Sequence, residues 1–177
     1  MRRTILLPER PFALERVSWL LLSAFVVVVD QLVKTAVSSE LALCMPGRCE
    51  SIQILPVFQL TRLHNPGAAF SFLADAGGWQ RWFLVVISSS VSLVIMAWIL
   101  RLRKEQGWVL AVALSLILGG AIGNLADRVM LGYVIDYVVV HYGDWYFPAF
   151  NVADSAVSVG AAFLVLDMFI MRPQDAG

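Results

Sequence analysis

The chain has 177 residues, of which 59% are hydrophobic and 15% are charged, and its formal net charge is zero. Soluble domains are about 45–50% apolar and about 25% charged, so this composition excludes an ordinary soluble protein. It indicates an integral membrane protein that forms a single domain over residues 1–177, and the balanced charge, without a Lys/Arg-rich block, gives no reason to expect nucleic acid as a partner.

The first predicted element is a membrane-spanning helix at about residues 17–37, which follows a basic N-terminal segment. A cleaved signal peptide is the alternative for this segment. It is disfavoured because the apolar run is longer than a typical signal core and carries Asp30 and Lys34 near its end. These two residues are four positions apart, so an ion pair that tethers the end of the helix is their expected role.

Residues 38–78 are polar enough to lie outside the membrane. The part at 51–64 is rich in β-branched residues with partial alternation, which predicts short strands of a small sheet. Asn65 and Gly67 then belong to a turn that enters a stretch of small residues. The amide of Asn65 is a candidate group for contact with the backbone of a substrate.

Three further membrane-spanning helices are predicted at about residues 79–100, 108–127 and 152–171. Each has about 20 residues, enough to cross a hydrocarbon core of about 30 Å. Four helices place both termini on one side with the 101–107 turn, and that side holds eight of the thirteen Lys and Arg residues. The positive-inside rule makes that side cytoplasmic, so the loops at 38–78 and 128–151 face outward. The predicted fold class is an all-α membrane protein with four transmembrane helices and a small extracytoplasmic β-sheet.

Carboxylates are concentrated in the stretch between the third and fourth helices. Asp136 stands alone in an apolar, β-branched run, and a carboxylate buried there requires a partner. Asn151 is predicted to be the N-cap of the fourth helix, which places Asp154 near the positive end of that helix. Simple capping is the alternative role for Asp154. If Asp136 faces Asp154, the two can share a proton and act as an acid–base pair that activates water against an amide carbonyl.

A second polar motif, GNLADR, lies at the end of the third helix. Its Asn124, Asp127 and Arg128 have the i, i+3, i+4 spacing of one helix face. A structural clamp, in which Asp127 and Arg128 satisfy each other or a neighbouring loop, is at least as well supported as a catalytic role. The glycines before and within this motif predict close approach of another backbone.

The sequence contains no motif that predicts a cofactor or a metal site. His64 and His141 lack the spacing of metal ligands, and two cysteines are too few for a zinc site. Cys44 and Cys49 flank a Pro-Gly pair suited to a tight turn, and both a structural disulfide and two reduced thiols remain open.

Five patches of the sequence resemble the bacterial signal peptidase II family, which are membrane aspartyl proteases inhibited by globomycin. The patches occur in the order of the family, and the resemblance extends over about residues 17–171. They are DQLVK at 30–34, NPGAAFSF at 65–72, GNLADR at 123–128, VIDY at 134–137 and FNVADS at 150–155.

The resemblance implies that Asp136 and Asp154 are the catalytic dyad. It also implies that four polar side chains line or brace the substrate pocket and that three charged side chains support them. These groups are Asn65, Asn124, Arg128 and Asn151, with Asp127, Asp30 and Lys34 in supporting roles and Gly67 in the adjacent turn.

The resemblance also implies the activity. A protein of this family removes the signal peptide from a prolipoprotein that carries diacylglycerol on a cysteine, and it cuts on the N-terminal side of that cysteine. The expected partners are this substrate, membrane lipids and globomycin-type inhibitors, and the expected state is a monomer. The expected location is the bacterial inner membrane, with both termini cytoplasmic and the active site at the periplasmic face.

The alternative function is a small proton-coupled transporter or carrier subunit that uses Asp127, Asp136 and Asp154 as a proton relay, because carboxylates within membranes also mark such paths. Against it, the acids cluster at one end of the helices, and the chain has no evident inverted repeat. A third possibility, a scaffold protein without enzymatic activity, leaves the energetic cost of Asp136 unexplained.

Overall fold

The computed structural model describes residues 12–67, 78–103 and 107–170. Four of its helices are long and apolar enough to cross a membrane, which confirms the predicted four-helix membrane protein. The chain termini, whose predicted cytoplasmic location rests largely on their arginines, lie outside the described residues. The helices are α1 (Phe12–Glu40), α2 (Trp79–Arg101), α3 (Gly107–Met130) and α4 (Val152–Ile170).

Helix α3 is the centre of the bundle and packs against the other three helices. Leu114 and Leu118 of α3 join Ile99 of α2 in a buried apolar cluster. A Cβ atom at Gly120 would collide with the carbonyl oxygen of Ala153, so glycine at this position lets the backbones of α3 and α4 come into contact. The predicted close approach of another backbone is therefore confirmed.

The outer faces of the other helices are apolar and exposed. Phe25 of α1 is 64% exposed, Val94 of α2 is 66% exposed and Phe169 of α4 is 78% exposed. A soluble protein rarely presents so many large apolar side chains together. These faces therefore fit contact with lipid chains.

Four short antiparallel strands form a sheet at one end of the bundle, as the sequence predicts. Leu63 lies opposite Asp136 across the β2–β3 pair, and Asn65 lies opposite Val134. Because alternate side chains along a strand point to the same face, Asn65 and Asp136 lie on one face of the sheet. The strands, in sheet order, are β1 (Ile52–Leu55), β2 (Phe58–Asn65), β3 (Val134–Tyr142) and β4 (Trp145–Tyr146).

The loop between α1 and β1 is closed by a disulfide between Cys44 and Cys49. The backbone N–H of Cys44 donates to the carbonyl of Arg62 at 2.9 Å, and the guanidinium of Arg62 donates to the carbonyl of Ser38 at 3.1 Å. The loop is therefore held to β2 and to the end of α1. Of the two possibilities left open by the sequence, the structure has the disulfide.

Candidate active site

Asp136 of β3 and Asp154 in the first turn of α4 line the same cavity, which has a volume of about 650 Å³. Asp136 is almost completely buried, and Asp154 is half-buried. The cavity extends from the sheet to the membrane-spanning parts of three helices. Its other walls include Asn65, Ser88, Gly120, Ala121, Asn124, Arg128, Phe147, Phe150, Val157, Ser158 and Val159.

Asn151 connects the two carboxylates. Its Oδ1 accepts a hydrogen bond from the backbone N–H of Asp154 at 2.9 Å, and the side chain of Asp154 accepts one in return from the N–H of Asn151 at 3.2 Å. This reciprocal pair is a capping box, which confirms Asn151 as the N-cap of α4. The amide of Asn151 also donates to Asp136 Oδ1 at 2.8 Å. Asp154 therefore caps the helix and faces the cavity, so the two roles considered for it are compatible.

Asn65 holds the other oxygen of Asp136. Its Nδ2 donates to Asp136 Oδ2 at 3.0 Å, while its Oδ1 accepts from the backbone N–H of Gly67 at 3.0 Å. Since the amide oxygen already has a donor, the NH₂ group of Asn65 is the one directed at the carboxylate. The predicted turn at Gly67 therefore sets the direction of this amide.

Asn124 makes the equivalent contact to Asp154. Its Nδ2 donates to Asp154 Oδ1 at 2.8 Å, and its Oδ1 accepts from Lys34 Nζ at 3.0 Å. The ammonium group of Lys34 thus fixes the orientation of the Asn124 amide. The two carboxylates are surrounded by amide donors whose own oxygens are occupied.

A buried ion cluster lies behind the cavity. Lys34 Nζ is 2.7 Å from Asp30 and 2.9 Å from Asp127, and each of the three side chains is at most 2% exposed. The predicted Asp30–Lys34 ion pair is confirmed. Asp127 pairs with Lys34 and not with Arg128, because neighbouring residues of a helix point in different directions.

Arg128 is directed to the loop that follows β2. Its guanidinium donates to the carbonyl of Gly67 at 2.9 Å and lines the cavity. This contact agrees with the predicted clamp to a neighbouring loop. Arg81 of α2 in turn donates to the carbonyls of Arg128 and Val129 at 2.9 and 2.8 Å, so it supplies donors to the last carbonyl groups of α3.

Sequence reasoning missed Arg81 and Gln31. Gln31 Nε2 donates to Asp127 Oδ1 at 2.8 Å and to the carbonyl of Gly123 at 3.2 Å. A polar amide three residues before Lys34 in a membrane-spanning helix was the available signal for Gln31. The partners of Arg81 depend on how α2 packs against α3, and no local pattern indicates them.

Burial raises the pKa of Asp136 to about 6, and the charge of Asp154 acts in the same direction. Hydrogen bonds from Asn65 and Asn151 and the charge of Lys34 lower the pKa, but burial has the larger effect. Asp136 therefore holds a proton more tightly than an ordinary aspartate does. A carboxylic acid next to a carboxylate is the arrangement that general acid–base chemistry requires.

The two histidines have aromatic partners. His64 stacks on Tyr133 with ring centroids 3.7 Å apart, and His141 stacks on Tyr146 at 5.2 Å. Within residues 12–67, 78–103 and 107–170, no group of three or more His, Cys, Asp or Glu side chains is arranged to hold a metal ion. The buried carboxylates of Asp30 and Asp127 are paired with the ammonium group of Lys34.

The chain is similar to known proteins over most of its length. A family model described as signal peptidase (SPase) II matches residues 22–170. A lipoprotein signal peptidase of Pseudomonas aeruginosa (strain UCBPP-PA14) is 49% identical over 156 residues, which are 87% of this chain and 89% of that protein. One from Pseudomonas syringae pv. tomato is 51% identical over 159 residues, 89% of this chain and 88% of that protein.

Two solved structures of bacterial membrane enzymes have a similar fold. The first has a TM-score of 0.76 and 24% identity, and the match covers 90% of this chain and 94% of that one. The second has a TM-score of 0.71 and 26% identity, with coverage of 85% and 92%. The arrangement of four helices and a small sheet is therefore shared with experimentally determined membrane enzymes.

Proposed function

The chain belongs to the signal peptidase II family, and from this premise we propose that Asp136 and Asp154 are its catalytic dyad. The protein is a membrane protease that removes signal peptides from prolipoproteins. One observation carries the assignment of the dyad: Asn151 contacts both carboxylates, and both open into one cavity. Because the chain belongs to a protease family, we prefer the protease function to the alternative of a proton-coupled transporter.

Asp154 acts as the base and Asp136 as the acid. The positive end of α4 stabilises negative charge on Asp154, while burial raises the pKa of Asp136, so that Asp136 binds a proton more tightly than an ordinary aspartate does. Asp154 takes a proton from a water molecule, and the oxygen of that water attacks the scissile carbonyl. Asp136 gives its proton to the carbonyl oxygen of the tetrahedral intermediate. Asp154 then passes the proton that it took from water to the leaving amine as the C–N bond breaks, and Asp136 takes a proton back from a hydroxyl of the intermediate as the carboxyl product forms. The two carboxyl groups titrate as a pair.

Arg128 and the amide of Asn124 stabilise the negative charge that develops on the carbonyl oxygen. Both side chains line the cavity next to the dyad. Removing one such donor from a protease typically lowers kcat about 10²–10³-fold. The mechanism uses no metal ion and no organic cofactor.

The substrate carries diacylglycerol on the cysteine that follows the cleaved bond. The cavity continues from the dyad to apolar side chains in the membrane-spanning region, among them Val157 and Val159 of α4. These side chains suit lipid tails, whose burial against protein places the adjacent peptide bond at the dyad. Membrane lipids and globomycin-type inhibitors occupy the same cavity, and the protein acts as a monomer.

The active site faces the periplasm from the bacterial inner membrane, and both termini are cytoplasmic. The Cys44–Cys49 disulfide supports this orientation, because disulfides persist in the periplasm and are rare in the cytosol. The disulfide loop is bonded to β2, the strand that also provides Asn65.

The proposal is tested with the purified protein in detergent, a diacylglyceryl-modified prolipoprotein and a chelator, with cleavage followed by gel shift. We expect the wild type to cleave and Asp136→Asn and Asp154→Asn to be inactive. Asp144→Asn is the matched control, since Asp144 is exposed in the turn after β3. Cleavage by either dyad variant would contradict the assignment of the dyad. An intact, verified substrate with the wild type would contradict the lipidated substrate.

A further inference from the structure

Asp30 of α1 caps α4 from outside that helix. Its side chain is fully buried, and its Oδ1 accepts a hydrogen bond from the backbone N–H of Ala153 at 2.9 Å. The first N–H groups of a helix have no partner within it, so they require such an acceptor. Ala153 directly precedes Asp154, and the position of Asp154 relative to α1 therefore depends on this bond.

Asp127 of α3 holds the other catalytic segment in the same way. Its Oδ2 accepts from the backbone N–H of Ile135 at 3.1 Å, and Ile135 directly precedes Asp136. Each buried carboxylate thus binds the backbone amide one residue before one member of the dyad. The two contacts are equivalent, although they come from different helices.

Lys34 joins the two carboxylates, with distances of 2.7 Å to Asp30 and 2.9 Å to Asp127. We propose that Asp30 and Asp127 are positioning residues, one for each catalytic aspartate, and that Lys34 sets the separation of the dyad by binding both. This inference rests on the proposed dyad. None of the three side chains belongs to the described wall of the cavity, so they do not act on the substrate. Asp30 and Asp127 act through the backbone, and Lys34 acts through these two carboxylates and through the amide of Asn124.

The separation matters because the dyad comes from two different elements. Asp136 is on a strand and Asp154 is on a helix, and a shared proton and a single attacking water require a fixed distance between them. A misplacement of about 1 Å can lower the rate about 10²-fold. A cluster that only stabilised the bundle would change the thermal stability and leave kcat of the folded protein unaffected.

The test measures kcat, KM and thermal unfolding of the full-length protein in detergent, with assays well below the unfolding temperature of each variant. For Asp30→Ala and Asp127→Ala we expect kcat to fall about 10²-fold while KM stays within about threefold. Ser23→Ala is the matched control. Ser23 lies on α1 two turns before Asp30, and its Oγ donates a buried hydrogen bond to the carbonyl of Ser115 at 2.9 Å. The substitution should lower the unfolding temperature and leave kcat unchanged.

Two variants that disturb the buried ion cluster less keep the test informative if the alanine variants do not fold. Asp127→Asn retains an oxygen for Ile135 N–H and Lys34, although its NH₂ group then faces the donor Gln31 Nε2. We therefore expect kcat to fall less than in Asp127→Ala, and an equal fall in the two variants would count against the role of the Ile135 contact. Gln31→Leu removes a neutral support of Asp127 without leaving a buried charge unpaired. We expect a fall in kcat of about three- to tenfold with little change in KM.

Unchanged kcat in Gln31→Leu, or in a folded alanine variant, would overturn the inference. So would an effect confined to KM. The outcome for the dyad is separate: if Asp136→Asn and Asp154→Asn are inactive but the cluster variants keep the wild-type kcat, only the positioning role fails. If the dyad variants cleave substrate, the proposed function fails first.

Discussion

At the scale of single residues, the site depends on amides with one fixed orientation. Asn65, Asn124 and Asn151 each present an NH₂ group to the dyad, and the oxygen of each amide accepts from another donor. The carboxylates are therefore held by neutral donors, which do not exchange a proton with them. Asn151 combines this role with capping of α4, and the two contributions can be separated by substitution.

Asn151→Ser keeps a good N-cap and removes the amide that contacts Asp136, whereas Asn151→Ala removes both. We expect both variants to lose about 10²-fold in kcat, because Asp136 loses a donor in each. The serine variant should unfold at a higher temperature, since a lost N-cap costs about 1 kcal/mol. Thermal unfolding and initial rates measure the two effects. Equal stability of the two variants would show that capping by Asn151 is unimportant.

The ionisation of Asp136 predicts a pH dependence of stability. Its pKa in the folded protein is about 6, against an ordinary value of 3.8, so the folded state binds the proton more tightly than the unfolded chain does. Ionisation of Asp136 therefore destabilises the fold as the pH rises from about 4 to about 6, by at most about 3 kcal/mol.

Asp136→Asn lacks this ionisation. The difference in unfolding temperature, variant minus wild type, should increase over this pH range and stay constant above about pH 7. Altered hydrogen bonds of the new amide add an offset that does not depend on pH. Thermal unfolding in detergent at several pH values measures the difference. A difference that does not vary with pH would contradict the raised pKa.

At the scale of elements, the contact between α3 and α4 determines the position of Asp154, the proposed base. A Cβ atom at Gly120 would collide with the backbone of Ala153, next to Asp154, whereas one at Gly160 would lie 2.7 Å from the side chain of Ile117. Gly160 is six residues further along α4, about 9 Å from Asp154 along the helix axis. The two glycines therefore serve the same helix pair at different distances from the chemistry.

Gly120→Ala should destabilise the protein by about 1–3 kcal/mol and lower kcat at least about tenfold, because α4 must move away from α3 at Asp154. Gly160→Ala is the matched control, with a similar loss of stability and a smaller loss of kcat. Thermal unfolding and initial rates of the two variants provide the comparison. Equal effects on kcat would mean that the position of Asp154 does not depend on the contact at Gly120.

Sequence predicted the elements better than the contacts between them. The four helices follow from apolar runs of sufficient length, and the Asp30–Lys34 pair follows from helical spacing. The second partner of Lys34, Asp127, depends on the packing of α1 against α3 over more than ninety positions of the chain. Gln31 was missed for the same reason, since its amide acquires significance only after that packing brings Asp127 within 2.8 Å.

At the scale of the whole molecule, orientation in the membrane is open to a direct measurement. The chain has only two cysteines, and both are in the disulfide, so a new cysteine is the single reactive thiol. In the proposed orientation, Asp144→Cys reacts with a membrane-impermeant maleimide in intact spheroplasts, and Arg103→Cys reacts only after permeabilisation. The opposite result would reverse the orientation.

The shared wall of the cavity also bears on resistance to drugs. A compound that fills the cavity contacts Asn65, Asn124 and Arg128, which hold the two carboxylates of the proposed dyad or, in the proposed mechanism, stabilise the intermediate. A substitution at any of them would weaken the compound and the enzyme together. Substitutions that weaken such a compound and keep activity are therefore expected at apolar wall positions such as Phe147 and Val159. A compound that binds the polar groups leaves few such substitutions.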